Sequence, residues 1–126
     1  GTRLMHAKRT EMAILVEAGP AQIRGADWGD MRVAVVSVPA GTDFGPLLQG
    51  LPNDRCQADH WGYVIKGKLR IRHANDEEEV LTGGDFYHMP AGHTGVAEEE
   101  TEFLEIGDPR AYQQFVDNAK RVIASM

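Results

Sequence analysis

Two short segments of the chain hold most of the side chains that are able to bind a metal ion. Residues 56–67 read C-Q-A-D-H-W-G-Y-V-I-K-G, and residues 83–93 read G-G-D-F-Y-H-M-P-A-G-H. Between them they supply one thiol and three imidazoles, from Cys56, His60, His88 and His93. Imidazole binds Zn²⁺, Fe²⁺, Ni²⁺ and Cu²⁺, and a thiolate favours the softer of these ions. The residue types therefore indicate a divalent metal site, although a lone histidine or cysteine is more often a structural residue.

The stretch that begins at His60 has the alternation of a β-strand. Successive side chains of a strand point to opposite faces, so His60, Gly62 and Val64 are expected on one face. We expect the missing side chain of Gly62 to leave open space beside the imidazole, as a pocket requires. Trp61 and Tyr63 are expected on the other face, packed between layers or at a subunit contact.

Cys56 lies four residues before His60. A straight strand would place the two ~13 Å apart, too far for two ligands of one ion, so they share a site only if the chain bends between them. Asp54 is a further candidate ligand. Tyr87 and His88 point to opposite faces of their strand, so one of the two is expected to face the interior.

Short apolar segments, each closed by glycine, proline or an Asn-Asp turn, recur along the chain. Many short strands at a spacing of ~8–12 residues are typical of an all-β sandwich or barrel. The predicted strands cover residues 12–16, 31–38, 61–65, 69–72, 80–81, 86–89, 94–97 and 103–106.

The end of the chain changes to the period of a helix. Apolar side chains recur there at i, i+3, i+4 and i+7, which predicts a helix with one apolar face. Asp108 is the predicted N-cap and Pro109 the first helical residue. We expect a loose N-terminal arm at residues 1–10, a barrel at residues 11–108, and an amphipathic helix at residues 109–126 that packs on the barrel or on a partner subunit.

Composition narrows the class of protein. A chain of 126 residues is expected to be one domain. Its net charge of −6 argues against a nucleic-acid partner, which requires clustered Lys and Arg. No apolar run approaches the ~20 residues that span a bilayer, and no signal peptide is visible at the start, so we expect no membrane partner. The single cysteine makes a reducing cytoplasm the simplest setting.

The two segments resemble the signature segments of the cupin superfamily, and the resemblance covers residues 31–107. In that family the first segment reads roughly G-x5-H-x-H-x3,4-E-x6-G, and the second reads G-x5-P-x-G-x2-H-x3-N. Gly67 is similar to the closing glycine of the first segment, and Pro90-Ala91-Gly92 to the turn of the second. The sequence pattern C-x3-H-W-G-Y-V, followed by P-A-G-H-T, resembles a subgroup of small single-domain cupins with no assigned reaction more closely than it resembles the general signature.

The chain carries the family's usual ligands only in part. The family's glutamate falls on His60, its second histidine on Cys56 and its first on Asp54. The histidine of the second segment falls on Gly95, two residues after His93. The resemblance therefore implies either a metal site rebuilt from Cys56, His60 and His93, or a pocket without metal.

The resemblance implies an all-β fold, a double-stranded β-helix or jelly-roll barrel, with one C-terminal α-helix. The first functional hypothesis is an enzyme that uses a divalent ion (Zn, Fe, Ni, Mn or Cu) on a small oxygen-bearing substrate. The alternative is a non-catalytic module that binds or senses a small ligand without metal, and a third is a structural cupin that acts by dimerising. We expect a homodimer, because cupins usually pair through sheet edges and pairing covers an exposed edge.

Overall fold

A computed structural model describes residues 5–126 and forms two antiparallel sheets with one long helix. Residues 1–4, the start of the expected N-terminal arm, lie outside the described part. The strands are β1 Ala13–Ala18, β2 Ala21–Trp28, β3 Met31–Val38, β4 His60–Lys66, β5 Lys68–Arg72, β6 Glu78–Thr82, β7 Phe86–Met89, β8 Thr94–Ala97 and β9 Thr101–Gly107. The helices are α1 Gly45–Leu48 and α2 Pro109–Ala124, and short 3₁₀ turns cover Arg9–Glu11 and Pro52–Asp54.

The larger sheet has six strands in the order β1-β2-β3-β9-β4-β7, and the smaller has three in the order β6-β5-β8. The core lies on the inner faces, where side chains such as Val36, Val64 and Phe103 meet Leu69 and Ile71 of the smaller sheet. Every strand pair is antiparallel, and the larger sheet joins strands distant in sequence, such as β3 with β9. The predicted all-β jelly roll with a C-terminal helix is confirmed.

Strand β2 is the one element of the larger sheet that the apolar pattern does not predict. It pairs with β3 along seven consecutive residue pairs, from Gln22 to Trp28, without a register shift. Its sequence, A-Q-I-R-G-A-D-W, places a single large apolar residue, Ile23, in the core. A Cβ added at Gly25 would lie 2.5 Å from Cδ1 of Leu15, so the glycine makes room for its neighbour. Packing, not residue propensity, therefore makes this stretch a strand.

Helix α2 begins at its predicted cap. The Asp108 carboxylate accepts a hydrogen bond of 2.9 Å from the N–H of Ala111, and Pro109 opens the first turn. The buried face of the helix joins the barrel core through Tyr112, Phe115, Val116 and Ala119. No helix among residues 5–126 is long and apolar enough to cross a membrane.

Candidate metal centre

Cys56 and His93 are held side by side by their own backbones. The N–H of Cys56 donates to the carbonyl of His93 at 3.0 Å, and the N–H of Gly92 donates to the carbonyl of Cys56 at 2.7 Å. Gly92 has a φ of +95°, which favours glycine, and it ends the turn that delivers His93. The guanidinium of Arg55 donates to the carbonyl of Gly92 at 3.2 Å and ties the two segments together again.

The chain bends after Cys56 and returns His60 to the same place. Ala58 is buried in the middle of the bend, and the Asp59 carboxylate accepts a hydrogen bond of 3.0 Å from the N–H of Ala91. As a result, Nε2 of His60 lies 3.6 Å from Sγ of Cys56. The chain therefore has the bend that Cys56 and His60 need in order to share one ion.

Three donor atoms, one each from Cys56, His60 and His93, lie within 4.8 Å of one another, and all three residues are buried. A zinc ion bonds sulfur at about 2.3 Å and imidazole nitrogen at about 2.0–2.1 Å, so a tetrahedral angle separates the two donors by about 3.6 Å. The observed distance between Sγ of Cys56 and Nε2 of His60 matches that separation. The donor set fits a divalent ion of the size and softness of zinc.

The two imidazoles are fixed in different ways. Nδ1 of His93 lies 2.8 Å from the carbonyl of Pro90, which assigns the hydrogen to Nδ1 and leaves the lone pair on Nε2. Nδ1 of His60 is buried without a hydrogen-bond partner among the described residues. Unpaired buried nitrogens are rare, and this one belongs to a ring whose other nitrogen makes only long polar contacts. A bond from Nε2 to a cation would satisfy that second nitrogen.

A buried glutamate that the sequence analysis missed also faces the cluster. Oε1 of Glu105, from strand β9, lies 3.8 Å from Nε2 of His60. Oε2 of the same carboxylate accepts a hydrogen bond of 2.8 Å from the hydroxyl of Tyr112, on helix α2. The sequence could have indicated this, because Glu105 lies two residues after the core residue Phe103 and alternate residues of a strand share a face. Tyr112 lies on the buried face of helix α2, where the sequence pattern predicts only apolar packing.

Burial sets the protonation of the cluster. Loss of solvent raises the pKa of the Cys56 thiol to about 12 and lowers the pKa of His60 and of His93 to about 4. The proximity of His60 further lowers the pKa of His93. Burial also raises the pKa of Glu105, against the hydrogen bond from Tyr112. Without a cation the thiol is therefore protonated and both imidazoles are neutral at neutral pH.

A small cavity of about 40 Å³ opens beside the cluster, and Cys56, His60, His93 and Glu105 form its polar wall. A volume of about 10–15 Å³ holds one water, so this cavity has room for about three. The remaining wall is almost wholly apolar and includes Phe44, Leu69, Ile71, Phe103 and Phe115. The arrangement suits a bound ion with one small ligand in a dry surrounding.

Two sequence expectations about this region are wrong. Asp54 is exposed in a 3₁₀ turn, where its carboxylate accepts a hydrogen bond of 3.0 Å from the N–H of Gly50, so it takes no part in the cluster. Gly62 leaves no open space, because a Cβ there would lie 1.9 Å from the carbonyl oxygen of Leu104 and 2.5 Å from the hydroxyl of Tyr87. The glycine allows close packing of strands instead of forming a pocket.

The structure also decides between Tyr87 and His88. Tyr87 packs against the core and donates a hydrogen bond of 2.7 Å to the carbonyl of Leu104. His88 lies on the outer face, stacked on Trp61 with ring centroids 4.6 Å apart. His88 therefore lies on the face of the sheet opposite the cluster. Trp61 and Tyr63 face away from His60, as expected.

Comparison with known proteins identifies the fold. No protein-family model and no curated protein sequence matches the chain. Among solved structures, an RmlC-like cupin from Shewanella frigidimarina matches with a TM-score of 0.62 at 13% identity, covering 84% of this chain and 91% of that one. KdgF from a Halomonas species matches with a TM-score of 0.61 at 22% identity, covering 82% and 91%.

Ectoine synthase from P. lautus is similar to the same degree, with a TM-score of 0.62, 13% identity, and coverage of 84% of this chain and 78% of that one. The resemblance to cupins that the two sequence segments carry is thereby confirmed at the level of fold, since the chain has the fold of small cupin domains. Identities this low establish the fold and leave the activity to the residues of the site.

Proposed function

We propose that this cupin-fold chain binds one divalent metal ion through Cys56, His60 and His93, and that a small molecule meets the ion in the adjoining cavity. The observation that carries the proposal is the convergence of three buried donor atoms from separate stretches of backbone within 4.8 Å. The hydrogen bond from His93 to Pro90 supports it further, because metal-binding histidines commonly donate their second ring hydrogen to a carbonyl.

Among Zn, Fe, Ni, Mn and Cu, we favour zinc. One thiolate with two imidazoles is a zinc-like donor set, whereas manganese prefers oxygen ligands. The cytoplasmic setting expected from the sequence belongs to the same proposal, since the Cys56 thiol must stay reduced to bind an ion.

As an activity, we propose metal-dependent chemistry on a small oxygen-bearing substrate. A divalent ion in this position supplies Lewis acidity. The chain itself supplies an apolar wall that excludes water and, on the polar wall, the carboxyl of Glu105 within reach of an occupant of the cavity. One similar structure, ectoine synthase, carries the name of an enzyme, which supports catalysis on this fold by analogy alone.

A non-catalytic binding or sensing module is the second candidate. The observation that favours it is the lining of the cavity, where almost every side chain beyond the cluster is apolar and unable to transfer a proton. Turnover separates the two candidates. An enzyme converts the small molecule that displaces water from the ion, whereas a binding module releases it unchanged.

Metal content tests the proposal directly. Protein purified without a chelating resin is expected to hold close to one ion per chain by elemental analysis, and the Cys56→Ser, His60→Ala and His93→Ala variants are expected to lose it. His88→Gln is the matched control, because that imidazole is exposed on the opposite face. Folded parent protein that neither retains nor takes up any divalent ion would contradict the proposal.

We further propose that two copies of the chain pair through the outer face of the larger sheet. Trp61 and Phe86 are 49% and 83% exposed there, on β4 and on the edge strand β7. Phe86 lies opposite Tyr63, and that row continues across β9 and β3 through Leu104 and Val35, while Trp61 lies in the neighbouring row. Contiguous exposed apolar surface is unusual in a monomer, and a two-fold axis pairs one such face with itself.

Charge is compatible with this pairing despite the net charge of −6. Glu102, on the outer face of β9, is paired with Arg9 at 2.8 Å, and Glu100, just before β9, is paired with Lys66 at 2.9 Å. The facing surfaces of two copies therefore bring together few unpaired like charges, and a second copy is the occupant that we propose for this face.

A further inference from the structure

Among residues 5–126, Glu105 is the one acidic side chain that lines the cavity beside the cluster. Strand β9 places it directly opposite Gly62, two residues after His60 on strand β4. Oε1 lies 3.8 Å from Nε2 of His60, so the carboxylate borders the same space as Sγ of Cys56, 3.6 Å from that nitrogen. Glu105 lies outside both sequence segments that carry the other donors.

A buried carboxylate needs a partner. Transfer of a carboxylate from water into a protein interior is costly unless charge or hydrogen bonds compensate for it. Glu105 is 8% exposed, and the hydroxyl of Tyr112 gives it one hydrogen bond, to Oε2. The guanidinium of Arg32 lies over the ring of Tyr112, 5.6 Å from its centroid, and is paired with Asp27.

Charge balance points to the missing partner. A divalent cation bound by the thiolate of Cys56 and two neutral imidazoles would leave one positive charge buried in an apolar cavity. One carboxylate beside them cancels that charge, so the thiolate, the carboxylate and the cation sum to zero. Nε2 of His60, on a side chain 3% exposed, has only long contacts to Sγ of Cys56 and Oε1 of Glu105, at 3.6 and 3.8 Å, and an ion between these three atoms would replace them with bonds.

We propose that Glu105 is the fourth ligand of the metal ion, through Oε1, and that Tyr112 orients it by holding Oε2. This inference rests on the proposed function, since it adds a ligand to that site, and a small molecule from the cavity would then bind the ion as a fifth ligand. An oxygen and a nitrogen bonded to one zinc ion are about 3.3 Å apart at a tetrahedral angle. The observed 3.8 Å between Oε1 and Nε2 of His60 is about half an ångström longer than that separation, so the carboxylate must move toward the ion to bind it.

The test uses Co²⁺ as a coloured substitute for zinc, titrated into chelator-treated protein. The parent is expected to bind one Co²⁺ with a thiolate charge-transfer band and the intense visible bands of a four-coordinate ion. Glu105→Gln keeps the shape and removes the charge. It is expected to keep the thiolate band, alter the visible bands and weaken binding at least tenfold. Glu102→Gln, on the outer face of the same strand, is the matched control and is expected to match the parent.

Tyr112→Phe tests the positioning role. It is expected to weaken Co²⁺ binding by a few-fold, and to add nothing to the loss already caused by Glu105→Gln, because the hydroxyl acts through the carboxylate. Full additivity of the two losses would overturn the positioning role. If the glutamine variant does not fold, Glu105→Asp decides in its place, because a shortened carboxylate still alters the visible bands of an ion that it binds.

The two proposals fail in different ways. A folded parent that binds no Co²⁺ overturns both the metal centre and the role of Glu105. A parent that binds Co²⁺ through a thiolate, together with a Glu105→Gln variant of equal affinity and unchanged visible bands, overturns only the role of Glu105. A purely structural Glu105 would give that second pattern and a loss of stability in the metal-free variant.

Discussion

Cys56 and His93 are hydrogen-bonded neighbours through their backbones, N–H to carbonyl at 3.0 Å, although 37 positions separate them in sequence. Two members of the cluster are therefore placed by main-chain pairing and not by flexible side chains alone. Such preorganisation lowers the entropy lost when an ion binds, since little of the backbone has to be ordered. Predictions about the metal follow from this rigidity.

Removal of metal is expected to lower thermal stability without unfolding the barrel. Binding to the folded state alone stabilises it by about 2.7 kcal/mol at about 100 times Kd, which corresponds to ~10 °C in Tm for a domain of this size. We expect Zn²⁺ to raise the Tm of chelator-treated parent protein by about that amount, measured by scanning calorimetry. His60→Ala is expected to show no rise and His88→Gln the full rise. An equal rise in all three proteins would mean that zinc binds elsewhere.

A methyl group at Gly62 is expected to destabilise the barrel. Its Cβ would lie 1.9 Å from the carbonyl oxygen of Leu104, and a backbone atom on a paired strand cannot move aside cheaply. We expect Gly62→Ala to cost about 3 kcal/mol of unfolding free energy in urea titrations, at the upper end of overpacking penalties. Gly83→Ala is the control, because its nearest neighbour is 3.4 Å away, and it is expected to cost less than about 1 kcal/mol. Equal losses would show that strand spacing is not the cause.

The buried imidazoles are expected to make the metal-free protein sensitive to acid. The pKa of His60 and of His93 is about 4 in the folded state against an ordinary 6.5, so the unfolded chain takes up protons first as pH falls. Their contribution to stability is complete above pH 6.5 and is lost progressively as pH falls toward 4. Glu105 acts in the opposite direction, because its raised pKa lets the folded state keep a proton that the unfolded chain has released.

The measured quantity is therefore a difference between proteins. We compare the metal-free parent with a His60→Gln, His93→Gln double variant. When the pH falls from 7 to 4.5, the unfolding free energy of the parent is expected to fall by a few kcal/mol more than that of the variant. Urea titrations at several pH values measure it, and both proteins retain Glu105. Parallel curves for the two proteins would show that the imidazoles are not the groups that titrate.

The proposed homodimer depends on the exposed aromatic row. Replacement of Trp61 and Phe86 together by serine is expected to convert dimer to monomer in multi-angle light scattering at ~1 mg/ml. Val80→Ser is the control, since Val80 is 39% exposed on the smaller sheet and away from the row. A parent protein that is already monomeric at this concentration would refute the pairing.

Local patterns predict most of the fold because turns are chemically marked. Glycine, proline and Asn-Asp pairs mark the ends of the strands. The apolar pattern does not predict β2, because that strand depends on close packing at Gly25 rather than on apolar residues. Asp54 was wrongly expected near the cluster because a 3₁₀ turn reverses the chain before Cys56. Glu105 was missed because only its inward position, set by pairing with β4, distinguishes it from surface glutamates.

Strand β4 carries His60 on its inner face and Trp61 on its outer face as consecutive residues. The indole lies nearly parallel to the ring of His88, 6° from coplanar, and touches none of the proposed ligands. Any shift of strand β4 on ion binding would therefore also move a fluorophore on the far side of the sheet. Tryptophan emission, to which Trp61 and Trp28 both contribute, would then report occupancy without a label.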